Sequence, residues 1–240
     1  MLQVALKNDT GVENQIFYNH LRLKRFTTLT PKVIAITSLY SPERRRVERF
    51  IEAEFKHSYN AIISEHYPIL MSVQDEDGNI LGALGFRYAD NETLFLEQYL
   101  DVPVEEKILQ TTGETISRSK IVEVGNLASH GDGASIFLFT ALTAFLAQQG
   151  GEIISVTATD FLHRYFARIG IELDVLEYAD QHRLQDDGAL WGSYYENHPR
   201  ILTGRVAQSY NRLQRYLKMS LIEEPRRLQA QIHHGIDISE

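Results

Sequence analysis

The sequence predicts an α+β protein layered on a mixed sheet, and three stretches carry that prediction. Residues 120–146 read as a short apolar strand, a glycine turn and an apolar helix. Residues 69–73 and 80–88 are β-prone runs joined by Asp75-Glu76-Asp77-Gly78-Asn79, a hairpin signal. Beyond residue 150, strand-like and helix-like segments alternate, the pattern of helices laid on a sheet.

Taken in order, residues 3–6 have strand character and 32–39 are a strand or its lead-in. Ser41-Pro42-Glu43 marks a helix start: a hydroxyl cap, proline in the first turn, then an acid near the positive end of the helix dipole. Val47, Phe50, Ile51 and Phe55 recur at helical spacing up to about Tyr59. Gly82 and Gly85 inside the second hairpin strand signal a bulge or the close approach of another group. Residues 94–99 are an apolar run holding a carboxylate, Glu97, expected as a strand near that of Glu123, where like-charge repulsion would raise one pKa, and residues 104–109 read as a short helix that Gly113 ends.

The central strand holds Ile121, Val122, Val124 and Leu127 with one carboxylate, Glu123, among them. After Gly131-Asp132-Gly133, residues 134–148 are helical, with Phe137, Leu138, Ala141, Leu142 and Phe145 as core. A helix entered through small residues leaves backbone N–H groups without intrahelical partners, which suits an anion or a developing oxyanion. Residues 152–159 are the next strand. Asp160 is the expected cap of the following helix, Gly170 its stop, and 171–176 a further strand. Residues 190–195 and 200–205 are expected to pair as a hairpin across Asn197-His198-Pro199. The tail from 207 to 233 reads as helical with a break at Pro225, expected to dock on the body or to form a homodimer. The expected division is therefore one domain over 1–206 and a helical tail over 207–240.

Composition narrows the function. The chain has no cysteine, which excludes disulfides, thiolate zinc sites and a cysteine nucleophile. A net charge of −8 argues against a general nucleic-acid surface, although Arg44-Arg45-Arg46 and Arg226-Arg227 are local basic clusters. No G-x-S-x-G elbow is present, and the histidines, including the His233-His234 pair, show no metal-ligand spacing. The first residues lack a signal pattern and no apolar run is long enough for a membrane span, so the expectation is a cytoplasmic protein.

The order IVEVGNLAS, HGDGA, SIFLFTALTAFLAQQ, EIISVTAT, DFLHRYFARIGI resembles the GCN5-related N-acetyltransferase (GNAT) fold. Glu123 in the central strand and the Arg168-Ile169-Gly170 triplet resemble the acyl-homoserine-lactone synthases. EVGNLAS with the glycine turn, LFLEQYLD and ATDFLHRYFARIGI are similar to the bacterial thermostable hemolysin family over about residues 30–206. The resemblance implies an acyltransferase that moves a fatty acyl group from acyl-CoA or acyl carrier protein to a small amine. The alternative is a membrane-active toxin that keeps the fold without catalysis.

On that resemblance the donor lies in a gap beside the central strand. A backbone N–H among Asn126, Leu127 and Ala128 polarises its carbonyl, and Gly131, Gly133, Ala134 and Ser135 receive its phosphate. Glu123 and Glu97 are the candidate bases, and Arg44, Tyr165 and Arg168 are candidate substrate contacts. Two departures from the family pattern stand out. Ala128 occupies the position where coenzyme A loops carry Arg or Gln, and Asp132 puts a negative charge within the loop. Both weaken pyrophosphate binding and favour acyl carrier protein, an acidic partner for which Arg44 to Arg46, Arg118 and Lys120 are candidate contacts. Where relatives carry a tyrosine before the helix-ending glycine, this chain has Phe166, with Tyr165 one residue earlier.

Overall fold

The computed structural model describes residues 1–90 and 92–223. Ten strands form one sheet in the order β10-β2-β1-β3-β4-β5-β6-β7-β9-β8. The strands are β1 (Leu2–Asn8), β2 (Gly11–Tyr18), β3 (Val33–Thr37), β4 (Ile69–Gln74), β5 (Ile80–Tyr88), β6 (Ile121–Ser129), β7 (Ile153–Ala158), β8 (Asp174–Tyr178), β9 (Arg200–Arg205) and β10 (Ser220–Glu223). The β1–β3 and β6–β7 pairs are parallel and the other neighbours antiparallel, so the sheet is mixed, as expected.

Helix α1 (His20–Leu23) is a single turn; the longer helices are α2 (Arg44–Tyr59), α3 (Val104–Thr112), α4 (Ser135–Gln149), α5 (Asp160–Arg168) and α6 (Val206–Leu217). Alternate strand residues sort the helices onto two faces. Met71, Leu84 and Val124 pack with α4 and α6, whereas Leu70, Ala83 and Ala128 pack with α2. Helix α4 has no charged residue and is buried almost all round, as an evenly apolar helix must be. The hydroxyls of Thr140 and Thr143 return their protons to the carbonyls of Ile136 and Phe139, both at 2.8 Å, so neither is a lone polar group in the core.

The hairpin β4–β5 forms where the sequence placed it, its turn fixed by the Asp75 carboxylate accepting from the N–H groups of Asp77 (3.0 Å) and Asn79 (2.7 Å). Four expectations need correction. Helix α2 starts at Arg44, after a turn through Pro42 and Glu43, and has no side-chain cap. The cap of α5 is Thr159, whose hydroxyl accepts from the Leu162 N–H, with Asp160 the first helical residue. Residues 94–99 are not a strand, because the Phe95–Tyr99 segment winds as a 3₁₀ turn. Residues 190–195 are two short 3₁₀ turns rather than a strand, and β9 pairs with β7 and β8 instead. Here Trp191, Tyr194 and Tyr195 gather on the rings of Phe55, Tyr59 and Phe95 rather than alternating across a strand.

The start of the tail is a helix docked on the body, as expected, but the helix ends at Leu217 and a strand follows. Helix α6 packs on α4, and β10 then pairs with β2, a strand of the N-terminal hairpin that periodicity did not signal. Residues 206–223 are therefore part of the main body, and the segment around Pro225, the Arg226-Arg227 cluster and the His233-His234 pair lie outside the described residues. Leu213 is fully buried against α4, so Leu213→Ala should destabilise the whole domain by about 2–5 kcal/mol in a urea titration. A detachable tail would leave the midpoint unchanged.

Candidate active site

The site begins as a gap in the sheet. β6 and β7 pair from Ile121–Ile153 to Val124–Val156 and then part, although β6 continues to Ser129. On its other edge β6 stays paired with β5, but Asn126 and Leu127 together face the single residue Leu84, a β-bulge. Asn126 takes a left-handed φ of 51°, which a non-glycine residue seldom adopts. A cavity of about 760 Å³ runs along this stretch, and Gly125, Asn126, Leu127, Ala128 and Ser129 all line it. Its walls come from both faces of the sheet: Leu142, Tyr165 and Phe166 on the α4–α5 side, and Glu54, Phe55, Tyr59 and His66 on the α2 side.

Tyr67 explains two glycines in the strands. Its ring lies across β5 and β6, so a Cβ at Gly85 would come within 2.7 Å of its Cβ, and one at Gly125 would strike its hydroxyl. The expectation of a close approach at Gly85 is met by this ring. At Gly82 a Cβ would instead meet Ala134, 3.2 Å away. Arg44 anchors the segment that carries Tyr67, donating to the carbonyls of Tyr67 (2.7 Å) and Pro68 (2.9 Å) and to Glu48 (2.8 Å). Only 7% of Arg44 is exposed and it does not line the cavity, so it braces the wall from behind.

Glu123 is 1% exposed and does not itself line the cavity. It accepts from Arg87 Nε at 2.7 Å and from the backbone N–H groups of Phe95 (3.1 Å) and Leu96 (2.7 Å). Burial raises its pKa above the usual carboxylate range, against the opposing pull of Arg87 and those two N–H groups. Glu123 reaches the cavity through its neighbours: Tyr67 and Arg87 both line it, and the guanidinium lies 5.0 Å from the Tyr67 ring centre.

Glu97 does not line the cavity. It accepts from Arg118 at 2.7 Å on each carboxylate oxygen and from the N–H groups of Leu94 (2.7 Å) and Val104 (2.9 Å). Burial would raise its pKa, but Arg118 and the two N–H groups outweigh it and hold the carboxyl below its usual range. The two acids therefore shift in opposite directions, not by mutual repulsion. The proposed carrier-docking cations are also engaged within the chain: Arg45 with Glu48 and Glu52, Arg46 with Glu43, Arg118 with Glu97 and Glu105, and Lys120 with the Gly150 carbonyl.

The glycine turn has three successive left-handed residues, Gly131, Asp132 and Gly133. Gly133 is obligatory, because a Cβ there would strike the Phe26 carbonyl. The Thr27 hydroxyl donates to the Asp132 carbonyl and pins the turn from the same side. Helix α4 follows without a side-chain cap. Gly131, Asp132, Gly133 and Ser135 line the cavity mouth, whereas Ala134 is buried in the core.

On α5, Tyr165 and Arg168 line the cavity, with the Arg168 guanidinium 5.4 Å from the Tyr165 ring centre. The Tyr165 hydroxyl is buried without a hydrogen-bond partner among the described residues, and burial pushes its pKa up to about 12. Phe166 packs on Phe139 at 4.7 Å between ring centres.

Sequence reasoning missed Glu54, His66 and the aromatic wall. Glu54 had a legible signal, since Val47, Ile51 and Glu54 share the buried stripe of α2; its carboxylate lies 2.8 Å from His130 Nδ1. His66 lies in a segment with no periodicity, and only the fold brings it to the cavity.

Because the folded-state pKa of Glu97 is depressed, its ion pair stabilises the fold above the unfolded carboxylate value and is lost as pH falls through the folded one. Glu97→Gln should therefore cost about 2 kcal/mol at neutral pH, a deficit that shrinks on acidification when denaturant midpoints are compared across pH.

A search of curated proteins finds no match. Among solved structures, the chain is similar to FeeM, an N-acyl amino acid synthase from uncultured soil microbes, with a TM-score of 0.53 and 13% identity over 75% of this chain and 99% of that one. It is similar to the acyl-homoserine lactone synthase LasI, with a TM-score of 0.53 and 12% identity over 80% and 98% of the two chains. It is also similar to BjaI, a CoA-dependent acyl-homoserine lactone synthase solved with SAM and isopentyl-CoA, with a TM-score of 0.52 and 14% identity over 77% and 89%. At these identities the likeness is one of fold, the GNAT-like α+β architecture that the sequence predicts. The family model for thermostable hemolysin matches residues 38–210, a span that holds nearly all of the site just described, and the chain belongs to the thermostable hemolysin family.

Proposed function

We propose that this protein is an N-acyltransferase that moves a fatty acyl group from a thioester to a small amine. The observation that carries this reading is the parting of β6 from β7 after Val124 and Val156, with a large cavity along the freed, bulged edge. A strand edge without a neighbour offers N–H groups to an extended donor arm and to a carbonyl oxygen gaining charge. The thioester carbonyl lies at Asn126–Ala128, and the donor phosphate at Gly131, Gly133 and the uncapped start of α4. Ala128 and Asp132 leave that turn short of positive charge, which favours acyl carrier protein, with one phosphodiester, over coenzyme A. The amine enters from the α2 side.

Two roles follow for the buried groups. Glu123 is a positioning residue that holds Arg87, the Phe95–Leu96 turn and Tyr67 in place. Tyr165, rather than Phe166, is the proton donor to the departing thiolate: its hydroxyl stays protonated across the neutral range and has no other partner among the described residues. The lysis in the family's name is then a property of a surface-active product.

The direct test is thiol release from octanoyl-acyl carrier protein and octanoyl-CoA, with primary amines as acceptors and mass spectrometry of the products. Amine-dependent release, faster from the carrier protein, is expected; no release from either donor above buffer overturns the reading. Tyr165→Phe should slow turnover of alkyl thioesters roughly 100-fold but barely affect an aryl thioester, whose thiolate leaves without a proton. Lipid extracts of cells making the wild type should lyse red cells, whereas the purified protein alone should not.

A further inference from the structure

We infer that His66, oriented by Glu52, is the general base that takes the proton from the attacking amine. This rests on the acyl-transfer reading and assigns the step that Glu123 and Glu97 leave open, since neither carboxylate lines the cavity and each is held by several donors.

His66 lines the α2 side of the cavity, and its side chain is only 9% exposed. Its Nε2 lies 3.0 Å from Glu52 Oε1. Arg45 holds the same carboxylate at 2.7 Å and, with His66, keeps it ionised despite partial burial. An ionised carboxylate can only accept, so Nε2 carries a proton and neutral His66 has its lone pair at Nδ1. That Nδ1 is buried and has no hydrogen-bond partner among the described residues. Buried ring nitrogens are seldom left unpaired, and here a cavity occupant with an N–H would complete the bond.

The position fits the chemistry. Asn126 Nδ2 donates to the Glu65 carbonyl at 3.2 Å, so the residue preceding His66 is tied to the bulge that lines the thioester slot. Tyr67, on the other side, lies across Gly125. The charged and titratable groups around His66 are thus Glu52 and Arg45 on α2, Glu65 and Tyr67 in its own segment, and Arg87 of β5 beyond the Tyr67 ring. A carboxylate holding one nitrogen of an imidazole whose other nitrogen has no partner among the described residues, on the wall of this cavity, is the orienter–base arrangement of acyl-transfer sites. In the step, the amine nitrogen bonds to the thioester carbon and its proton passes to His66 Nδ1. The C–S bond then breaks, and the thiolate leaves as a thiol with a proton from Tyr165, which recovers one from the imidazolium through solvent.

His66→Gln tests this, because the glutamine amide can still donate to Glu52 but supplies no base. In the octanoyl thioester assay kcat should fall 100-fold or more, while the thermal midpoint and donor KM stay near wild type. Added imidazole should rescue turnover in His66→Gln. Nitrogen-15 histidine NMR of the unliganded protein should show His66 as the Nε2–H tautomer. Turnover near the wild-type rate in His66→Gln, or an Nδ1–H tautomer in the wild type, overturns the assignment and leaves acyl transfer standing. Absence of thiol release by the wild type removes both.

Discussion

The site depends on a constraint of backbone pairing. β6 keeps its partner β5 along its whole length but keeps β7 only as far as Val124. Past that point one edge of β6 has no strand to satisfy it, inside a structure where buried backbone groups are almost always paired. The extra residue in the bulge re-aims this edge, and the chain returns as α4 rather than as another strand. Slot, bulge and helix start are therefore consequences of one departure from regular pairing, held open by the splay of a parallel pair.

What keeps the slot shaped is a wedge from outside the sheet. Tyr67 lies over Gly85 and Gly125, and Arg44 fixes its backbone from the start of α2. Each part requires the others: a side chain at either glycine would expel the ring, and without Arg44 two partly buried carbonyls would lose their donors. Glu123 lies beneath this wedge, where its charge is tolerated because a guanidinium and two N–H groups converge on it. Glu97 resembles it in sequence and differs in physics. A two-pronged guanidinium and two backbone donors stabilise its charged form more than its shallower burial opposes it.

The cavity thus meets few of the chain's buried carboxylates directly. The groups presented to it include the Tyr165 phenol, the His66 imidazole, the Arg87 and Arg168 guanidiniums, the Glu54 carboxylate and a broad aromatic wall from Phe55 to Tyr194.

The sequence by itself determined the mixed sheet, the strand–turn–helix at its centre, the apolar helix α4 and the obligatory glycines, because these are written in local periodicity and in backbone conformations that few residues adopt. It also singled out Glu123 and Glu97, since a carboxylate within an apolar run is costly to bury without a partner or a role. Only the tertiary structure decided which partners, and with them the direction of each pKa, because Arg87 and Arg118 meet those acids across separate segments. The second strand of the N-terminal hairpin, the docking of β10 and the arrival of His66 and Tyr67 at the cavity were likewise invisible. They are set by long-range pairing and by side chains in segments without a period, where nothing local records which surface the chain will meet.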